Sequence, residues 1–334
     1  MRLLVTGGAG FIGSHYVHHV LSTTDDRVTV LDALTYAGSL ENLSPAFASD
    51  RLEFVKGDIL DRDLVDGLMH RHDAVVHFAA ESHVDRSLLA QSHFLTVNVL
   101  GTETLLDAVR RHKLGKFVHV STDEVYGSLP EGAASEDAPL RPTVPYAASK
   151  AASDLVALSA YATHRVPVCV TRSSNNYGPH QHPEKVIPRF VTRLLAGRRV
   201  GVHGRGEHVR NWVHVDDNVA GIDLVLRHGT PGEVYNLGGG TDLTGRQLTQ
   251  HVLNACGAGW DRADFIPDRR ANDLRYAMTW DKAAQLGYDP RRSFEEGLAQ
   301  TVDWYRAHPH RWAPRHTDAP AAVSRVMSHP SSLT

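Results

Sequence analysis

The segment Thr6-Gly7-Gly8-Ala9-Gly10-Phe11-Ile12-Gly13 leaves this chain few folds to choose from. It follows an apolar, β-branched run (residues 2–6) and opens a helical pattern (12–21), with its glycines three residues apart. Gly7 permits a tight turn, Gly10 lets the backbone approach a pyrophosphate, and Gly13 lets the helix pack closely on the strand. The amides and partial positive charge of the helix N-terminus then face the phosphates. Such a triplet is weak alone, but its required context is present: a strand before, a helix after, and an acid ending the next strand. That acid is Asp32, closing Val28-Thr29-Val30-Leu31-Asp32. Its carboxylate suits the hydroxyls of an adenosine ribose and repels a 2′-phosphate, which predicts NAD in preference to NADP. Asp58-Ile59 follows the third strand, where the pair either contacts the adenine or Asp58 caps the next helix.

The rest of the first half repeats this alternation. Apolar runs at 2–6, 27–32, 52–56, 74–78, 116–121 and 166–171 are separated by helical patterns at 12–21, 62–70, 95–112 and 146–164. The pattern predicts an α/β fold: six parallel strands in a doubly wound, Rossmann-type sheet with helices on both faces. Its ligand crevice lies at the carboxyl ends of the strands. Beyond residue 172, loops rich in Asn, Gly, Pro and His interrupt shorter elements, with helices at 187–196, 216–227, 244–255 and 293–308. Residues 1–172 thus read as the NAD-binding domain. Residues 173–313 read mainly as a smaller α/β substrate-binding region over the C-terminal edge of the sheet, with some segments returning to the first domain. Residues 314–334, rich in Pro, Ser and Ala, read as a disordered tail.

Composition narrows the partners. The 334 residues carry a net charge of −3, and no apolar run approaches the roughly 18 residues of a membrane span. Neither nucleic acid nor a membrane is expected, and the cytoplasm is the expected location. Cys169 and Cys256 suggest neither a disulfide framework nor a zinc site, and Cys169, inside the apolar run 166–170, reads as a small core residue. The 22 histidines, among them His15, His18, His19, His83, His180 and His182, show no ligand spacing. They read as surface residues that titrate on acidification, and no metal is expected.

Tyr146-Ala147-Ala148-Ser149-Lys150 sets a phenol and an ammonium one helical turn apart. A free Tyr titrates near 10 and is a poor base at neutral pH. Lys150 and a cationic nicotinamide would stabilise the phenolate, and bringing it to about pH 7 takes roughly 4 kcal/mol at about 1.36 kcal/mol per unit. The strand 116–120 runs out at Ser121-Thr122-Asp123-Glu124-Val125-Tyr126-Gly127. Two carboxylates and two hydroxyls therefore stand at the ligand edge of the sheet, as candidates for proton transfer.

These blocks, with Leu31-Asp32-Ala33-Leu34-Thr35-Tyr36-Ala37-Gly38, His77-Phe78-Ala79-Ala80-Glu81-Ser82-His83-Val84-Asp85-Arg86-Ser87, Ser174-Asn175-Asn176-Tyr177-Gly178-Pro179 and Pro183-Glu184-Lys185, carry a clear likeness. Over about residues 1–308 the chain resembles the nucleoside-diphosphate-glucose 4,6-dehydratases, those acting on dTDP-glucose above all, of the extended short-chain dehydrogenase/reductase superfamily. The resemblance implies that Tyr146 takes the proton of the glucose 4-hydroxyl as the C4 hydride passes to NAD⁺, with Lys150 holding the ribose and Thr122 bonding the C4 oxygen. It implies that Glu124 removes the C5 proton, Asp123 protonates the departing 6-hydroxyl, and the hydride returns to C6. Implied cofactor contacts are Gly7, Gly10, Phe11, Ile12, Gly13, Asp32, Leu34, Thr35, Asp58, Ile59, Ala79, Ala80, Ser82, Thr96, Tyr146, Lys150 and Asn175. Implied nucleotide-sugar contacts are Ser82, Thr122, Asn175, Glu184, Lys185, Arg210, Asn236, Arg269 and Asn272.

A homodimer is also implied, through helices 95–112 and 146–164. These carry apolar residues beyond one core stripe: Val97, Leu100, Leu105 and Leu106 on the first, Leu155, Val156, Leu158 and Ala162 on the second. One block departs from the family pattern. In Asp268-Arg269-Arg270-Ala271-Asn272-Asp273-Leu274-Arg275-Tyr276, Ala271 replaces a glycine and Asn272 a histidine, and upstream Asn211 replaces an aspartate. These changes bear on the grip on the nucleotide, where Arg270 would add charge, and leave the chemistry alone. The Asp123-Glu124 pair separates this reading from the 4-epimerases, which perform no elimination. The alternatives are a 4,6-dehydratase or 4-epimerase for another nucleotide sugar such as UDP-glucose, a hexuronate decarboxylase, and a catalytically silent NAD-binding scaffold.

Overall fold

Seven parallel strands, one more than predicted, form the main sheet of the computed structural model, which describes residues 1–268 and 272–313. Strands β1 (Arg2–Thr6), β2 (Arg27–Asp32) and β3 (Leu52–Lys56) have the predicted bounds. β4 (Ala74–His77), β5 (Lys116–Thr122) and β6 (Val168–Ser173) depart by two residues at most. Then come β7 (Asn175–Tyr177), β8 (Val200–His203), β9 (Val209–His214), β10 (Val234–Leu237), β11 (Thr241–Thr244) and β12 (Ala263–Ile266). The sheet order is β10-β6-β5-β4-β1-β2-β3. The seventh strand, β10, is four residues long, too short to show a period in sequence, and it returns after the chain has left the sheet.

The helices are α1 (Phe11–Thr23), α2 (Arg62–Met69), α3 (Val84–Ser87), α4 (Gln91–Leu95), α5 (Gly101–His112), α6 (Pro145–His164), α7 (Val186–Leu195), α8 (Val215–His228), α9 (Gly245–Ala255), α10 (Asp281–Gln285) and α11 (Phe294–Ala307). Helices cover both faces of the main sheet, which is why its strands are apolar throughout rather than alternating. Tyr16, Val17 and Val20 of α1 and Val219, Ile222 and Val225 of α8 close one face. Val65 of α2, Leu105 and Val109 of α5 and Ala157 of α6 close the other. Each such side chain contributes roughly 1.5–3 kcal/mol by leaving water. Beyond the sheet's carboxyl edge lie a three-stranded sheet, β11-β9-β7, and the parallel pair β12-β8. These pack around Tyr177, Ile187, Phe190, Trp212 and Phe294.

The single helix predicted over 95–112 is broken. A π-helical turn, Thr96–Leu100, joins α4 to α5. Asn98 explains it: its Oδ1 accepts the Glu81 amide at 2.8 Å, and its Nδ2 donates to the Glu81 carbonyl at 3.0 Å and to Ser149 Oγ at 2.9 Å. The wide turn delivers this amide to the loop after β4 and to the start of α6, and such turns often mark functional sites.

Under the sheet's carboxyl edge runs a buried polar chain. Asp154 of α6, fully buried, accepts from Arg172 Nε of β6 at 2.9 Å and lies 3.3 Å from His119 Nε2 of β5. Arg172 also donates to the Tyr126 hydroxyl at 2.9 Å, and Tyr126 donates to Asn236 Oδ1 of β10 at 2.7 Å. A buried pair of this kind is costly to break, at about 3–5 kcal/mol, and here it links three strands and a helix.

The histidines correct the sequence reading. His15, His18, His19, His83, His180 and His182 are all partly buried, and His72, His77, His119 and His214 are buried outright. His15 bonds Asp216 and the Pro179 carbonyl, and His18 bonds the Asn42 carbonyl. Burial pulls His180 down to about 3 and His119 and His214 to about 4, and it lowers His18, His19, His72 and His77 as well. These rings stay neutral where surface imidazoles would charge. Cys169 is buried as read, and its thiol and that of Cys256 are free. Among the described residues no helix is long and apolar enough to cross a membrane, and no cluster of side chains is placed to hold a metal ion. The tail expected over 314–334, and Arg269, Arg270 and Ala271, lie outside the described residues.

Candidate active site

β1 and β4 lie side by side where the strand order reverses, the place where a doubly wound sheet opens its crevice. The glycine turn fills that place. Gly7 sits at φ +71°, and a Cβ there would lie 2.6 Å from the Ala79 amide nitrogen; one on Gly13 would lie 2.3 Å from the Gly7 carbonyl. Gly10 is the N-cap of α1 and brings no capping side chain, so the first amides of the helix remain for an anionic ligand. Asp32 is 8% exposed and accepts the amides of Ala9 at 2.9 Å and Leu34 at 2.8 Å. Burial raises its pKa, and those two bonds pull it back.

A cleft of about 350 Å³ runs from this turn past Asp32 to Tyr146 and Lys150. Phe11, Ile12, Thr35, Asp58, Ile59, Ala79, Ala80, Ser82 and Asn175 line it as expected. The helix-cap alternative for Asp58 falls away, because Asp61 caps α2 by accepting the Leu64 amide at 3.1 Å. Two expected residues do not line the cleft. Leu34 packs against the core, and the π turn that begins at Thr96 presents Val97 instead.

Lys150, 4% exposed, donates from Nζ to the Val120 carbonyl at 2.8 Å. Burial lowers its pKa to about 8, against the charge of Asp154 one turn on. At the end of β5 the Thr122 hydroxyl accepts the Glu124 amide at 3.3 Å and donates to Asp123 Oδ1 at 3.3 Å. Burial and the Glu124 charge push Asp123 up to about 8, so it carries a proton at neutral pH. Tyr146 lies close to these carboxyls. Burial, then the charges of Glu124 and Asp123, hold the phenol above its ordinary range, and only the Thr122 hydroxyl pulls it down.

A second cavity of about 480 Å³ opens beside the first. Glu124, Asn175, Asn176, Gln181, Glu184 and Lys185 line both, so Glu124 stands at their junction. Arg210 lies over the Tyr276 ring, 4.2 Å from its centroid, and donates to Asn272 Oδ1 at 3.1 Å. Asn272 in turn donates to Asp268 at 2.9 Å, so the asparagine in the usual histidine place orients Arg210. Asn236 is corrected: it is fully buried, bonded to Tyr126, Ala134 and Thr279, and lines neither cavity. Asn211 is likewise outside them, tying Asp242 of β11 to the Gly239 amide. The sequence reading missed Tyr276, although it ends the block quoted above. It also missed Arg189, which with Arg193 lines this cavity from the otherwise apolar helix α7 and which nothing in the local pattern marks.

Ser174 Oγ, Asn175 Oδ1, Asn176 Oδ1 and Gln181 Oε1 are buried along the cleft without a hydrogen-bond partner in the protein. Buried polar atoms rarely stay unpaired, so the cleft is built for a polar ligand. A glycine turn, an acid ending β2 and a Tyr–Lys pair define the class, an extended short-chain dehydrogenase/reductase. More narrowly, the chain belongs to the GDP-mannose 4,6 dehydratase family, whose model matches residues 4–301. Among its relatives is the dTDP-glucose 4,6-dehydratase of Streptomyces antibioticus, 56% identical over 97% of this chain and 99% of that one. The crystal structure of DesIV, the dTDP-glucose 4,6-dehydratase of Streptomyces venezuelae with NAD and TYD bound, matches at a TM-score of 0.92 and 52% identity, covering 94% of this chain and 99% of that chain. The UDP-glucose 4-epimerase of Thermotoga maritima, with UDP-glucose, matches at 0.86 and 30% identity, covering 92% and 100%.

Asp123 has a thermodynamic signature. Its folded value of about 8 lies above the ordinary Asp value of about 4. The folded protein therefore binds this proton more tightly than the unfolded chain, and stability falls as pH rises between those values but not below them. Asp123→Asn is expected to raise Tm at pH 8 by a few degrees, at roughly 2–4 °C per kcal/mol, and to leave it unchanged at pH 4. Calorimetry at the two pH values checks this.

Proposed function

We propose that this chain is a dTDP-glucose 4,6-dehydratase, a hydro-lyase that holds NAD and converts dTDP-glucose to dTDP-4-keto-6-deoxyglucose for deoxysugar biosynthesis. The observation that carries the reading is the placement of Glu124 at the junction of the two cavities, beside a protonated Asp123 and the Tyr146–Lys150 pair. The dinucleotide would lie along the glycine turn and Asp32, whose uncapped helix amides and buried carboxylate fit pyrophosphate and ribose. When bound, NAD supplies an acceptor for the C4 hydride that later returns it to C6.

The protein's own groups move the protons. Tyr146 takes the proton of the 4-hydroxyl, with Thr122 bonding the same oxygen. Burial and the neighbouring carboxyls hold Tyr146 above the ordinary phenol range, so the ammonium of Lys150 and the positive charge of bound NAD⁺ would have to favour the phenolate for it to act as a base. Once C4 is a ketone, the C5 proton is acidic, and Glu124 removes it. Asp123 gives its proton to the departing 6-hydroxyl, and water leaves across C5–C6. Burial and the Glu124 charge raise Asp123 to about 8, which suits it to the role of acid. Arg210, oriented by Asn272, and Lys185 suit the diphosphate. A 4-epimerase has no elimination to perform and no use for this pair of carboxylates.

We further propose a homodimer through the joined helices α4 to α6. Leu100 and Leu155 are 54% and 59% exposed there, while Leu105 and Leu106 face the protein's own core. The proposed location is the cytoplasm, which suits the two free thiols. Leu100→Glu with Leu155→Glu is expected to halve the mass found by light scattering.

Incubation with dTDP-glucose is expected to give the alkaline absorbance of a 4-keto sugar. Product from UDP-glucose but not from dTDP-glucose would overturn the nucleotide assignment. Glu124→Gln is expected to lower dehydration at least 10²-fold, in line with the loss of a general base, and to stop solvent exchange at C5 while NAD reduction persists. Dehydration at the wild-type rate would remove Glu124 from its role.

A further inference from the structure

Three loops that are far apart in sequence meet over the first cleft. Tyr36, from the loop after β2, donates its hydroxyl proton to Glu184 Oε1 at 3.0 Å, from the loop before α7. Arg86 of α3 lays its guanidinium over the Tyr36 ring, 3.7 Å from the centroid, with Nε 3.9 Å from Glu184 Oε2. The His182 ring meets the Tyr36 ring edge-on at 5.5 Å, and Lys185 donates to the Ser82 carbonyl at 2.7 Å. The Glu184 side chain is only 12% exposed, so its contacts are shielded from solvent.

The position of this junction gives it a meaning beyond stability. Thr35, Ala37 and Gly38, which flank Tyr36, line the cleft together with Ser82, Glu184 and Lys185. Asp32, at the end of β2, and Tyr146 and Lys150, beside β5, line the same cleft from opposite sides of the β1–β4 pair. A dinucleotide reaching from one to the other would lie against these residues.

We propose that Tyr36, Arg86 and Glu184 form a belt across the cleft that retains NAD from one turnover to the next. This rests on the dehydratase reading, in which the hydride leaves C4 and returns to C6, so the cofactor ends each cycle oxidised and need not exchange. Tyr36 and Arg86 are then retention residues: they hold the cleft shut and take no part in moving hydride or protons. The belt opens only when the Tyr36–Glu184 bond breaks and Arg86 lifts from the ring.

The test is the exchange of bound NAD in the purified holoenzyme against excess isotopically labelled NAD, followed by mass spectrometry after desalting. Tyr36→Phe removes one oxygen, and Arg86→Ala removes the stacked cation. Each is expected to speed exchange at least tenfold, which corresponds to about 1.4 kcal/mol, the scale of one hydrogen bond. Each is also expected to leave the enzyme short of NAD after gel filtration, with kcat restored to within twofold by added NAD. Exchange within twofold of wild type in both variants overturns the belt. So does faster exchange accompanied by a fall in Tm of more than about 5 °C in both, since that is general loosening. Failure of the dehydratase reading looks different: no 4-keto product from wild type, whatever its exchange rate.

Discussion

Everything in this structure depends on one close approach, that of the β1–α1 turn to the end of β4. Gly7 lies so near the Ala79 backbone, and Gly13 so near Gly7, that no side chain fits at either place. With side chains absent there, α1 can aim its N-terminus along the crevice and Asp32 can close the far side. The adjoining strands then bring their carboxyl ends to the same place, which is how β5 delivers Thr122, Asp123 and Glu124 and α6 delivers Tyr146 and Lys150.

The site is held under electrostatic tension. A carboxyl driven to about 8 and an ammonium driven down to about 8 are both groups whose charged forms the surroundings disfavour. Such an arrangement persists only where the framework is firm. Here the framework is the buried run from Asp154 through Arg172 and Tyr126 to Asn236, which fastens α6, β6 and β10 behind the reacting groups. Asn236 serves the site from behind it, and family likeness alone would place it among the ligand contacts.

Most of the central sheet was legible in the sequence because its strands are continuous apolar runs, and three of them end where the pattern ends. β10 was not, because four residues hold no period. The proposed catalytic groups sit in short blocks beside a strand end or on one helix face, where local pattern carries most. The errors came where tertiary contacts override local pattern. Asn98 bends a helix that composition would leave straight. His15, His18 and His119 read as surface residues but sit, partly or wholly buried, against carbonyls and carboxylates.

Asn98 also does something a helix residue seldom does. By accepting from the Glu81 N–H and donating to the Glu81 C=O, its amide meets that residue as a neighbouring strand would. The chain leaving β4 therefore keeps a partner for one residue after the sheet itself has ended. The cleft wall at 79–82 is thus pinned at Glu81, four residues past the end of β4, by a single side chain. Since the same amide also grips Ser149, whose hydroxyl donates to the Tyr146 carbonyl, the wall and the catalytic helix share one fixed point and move, if at all, together.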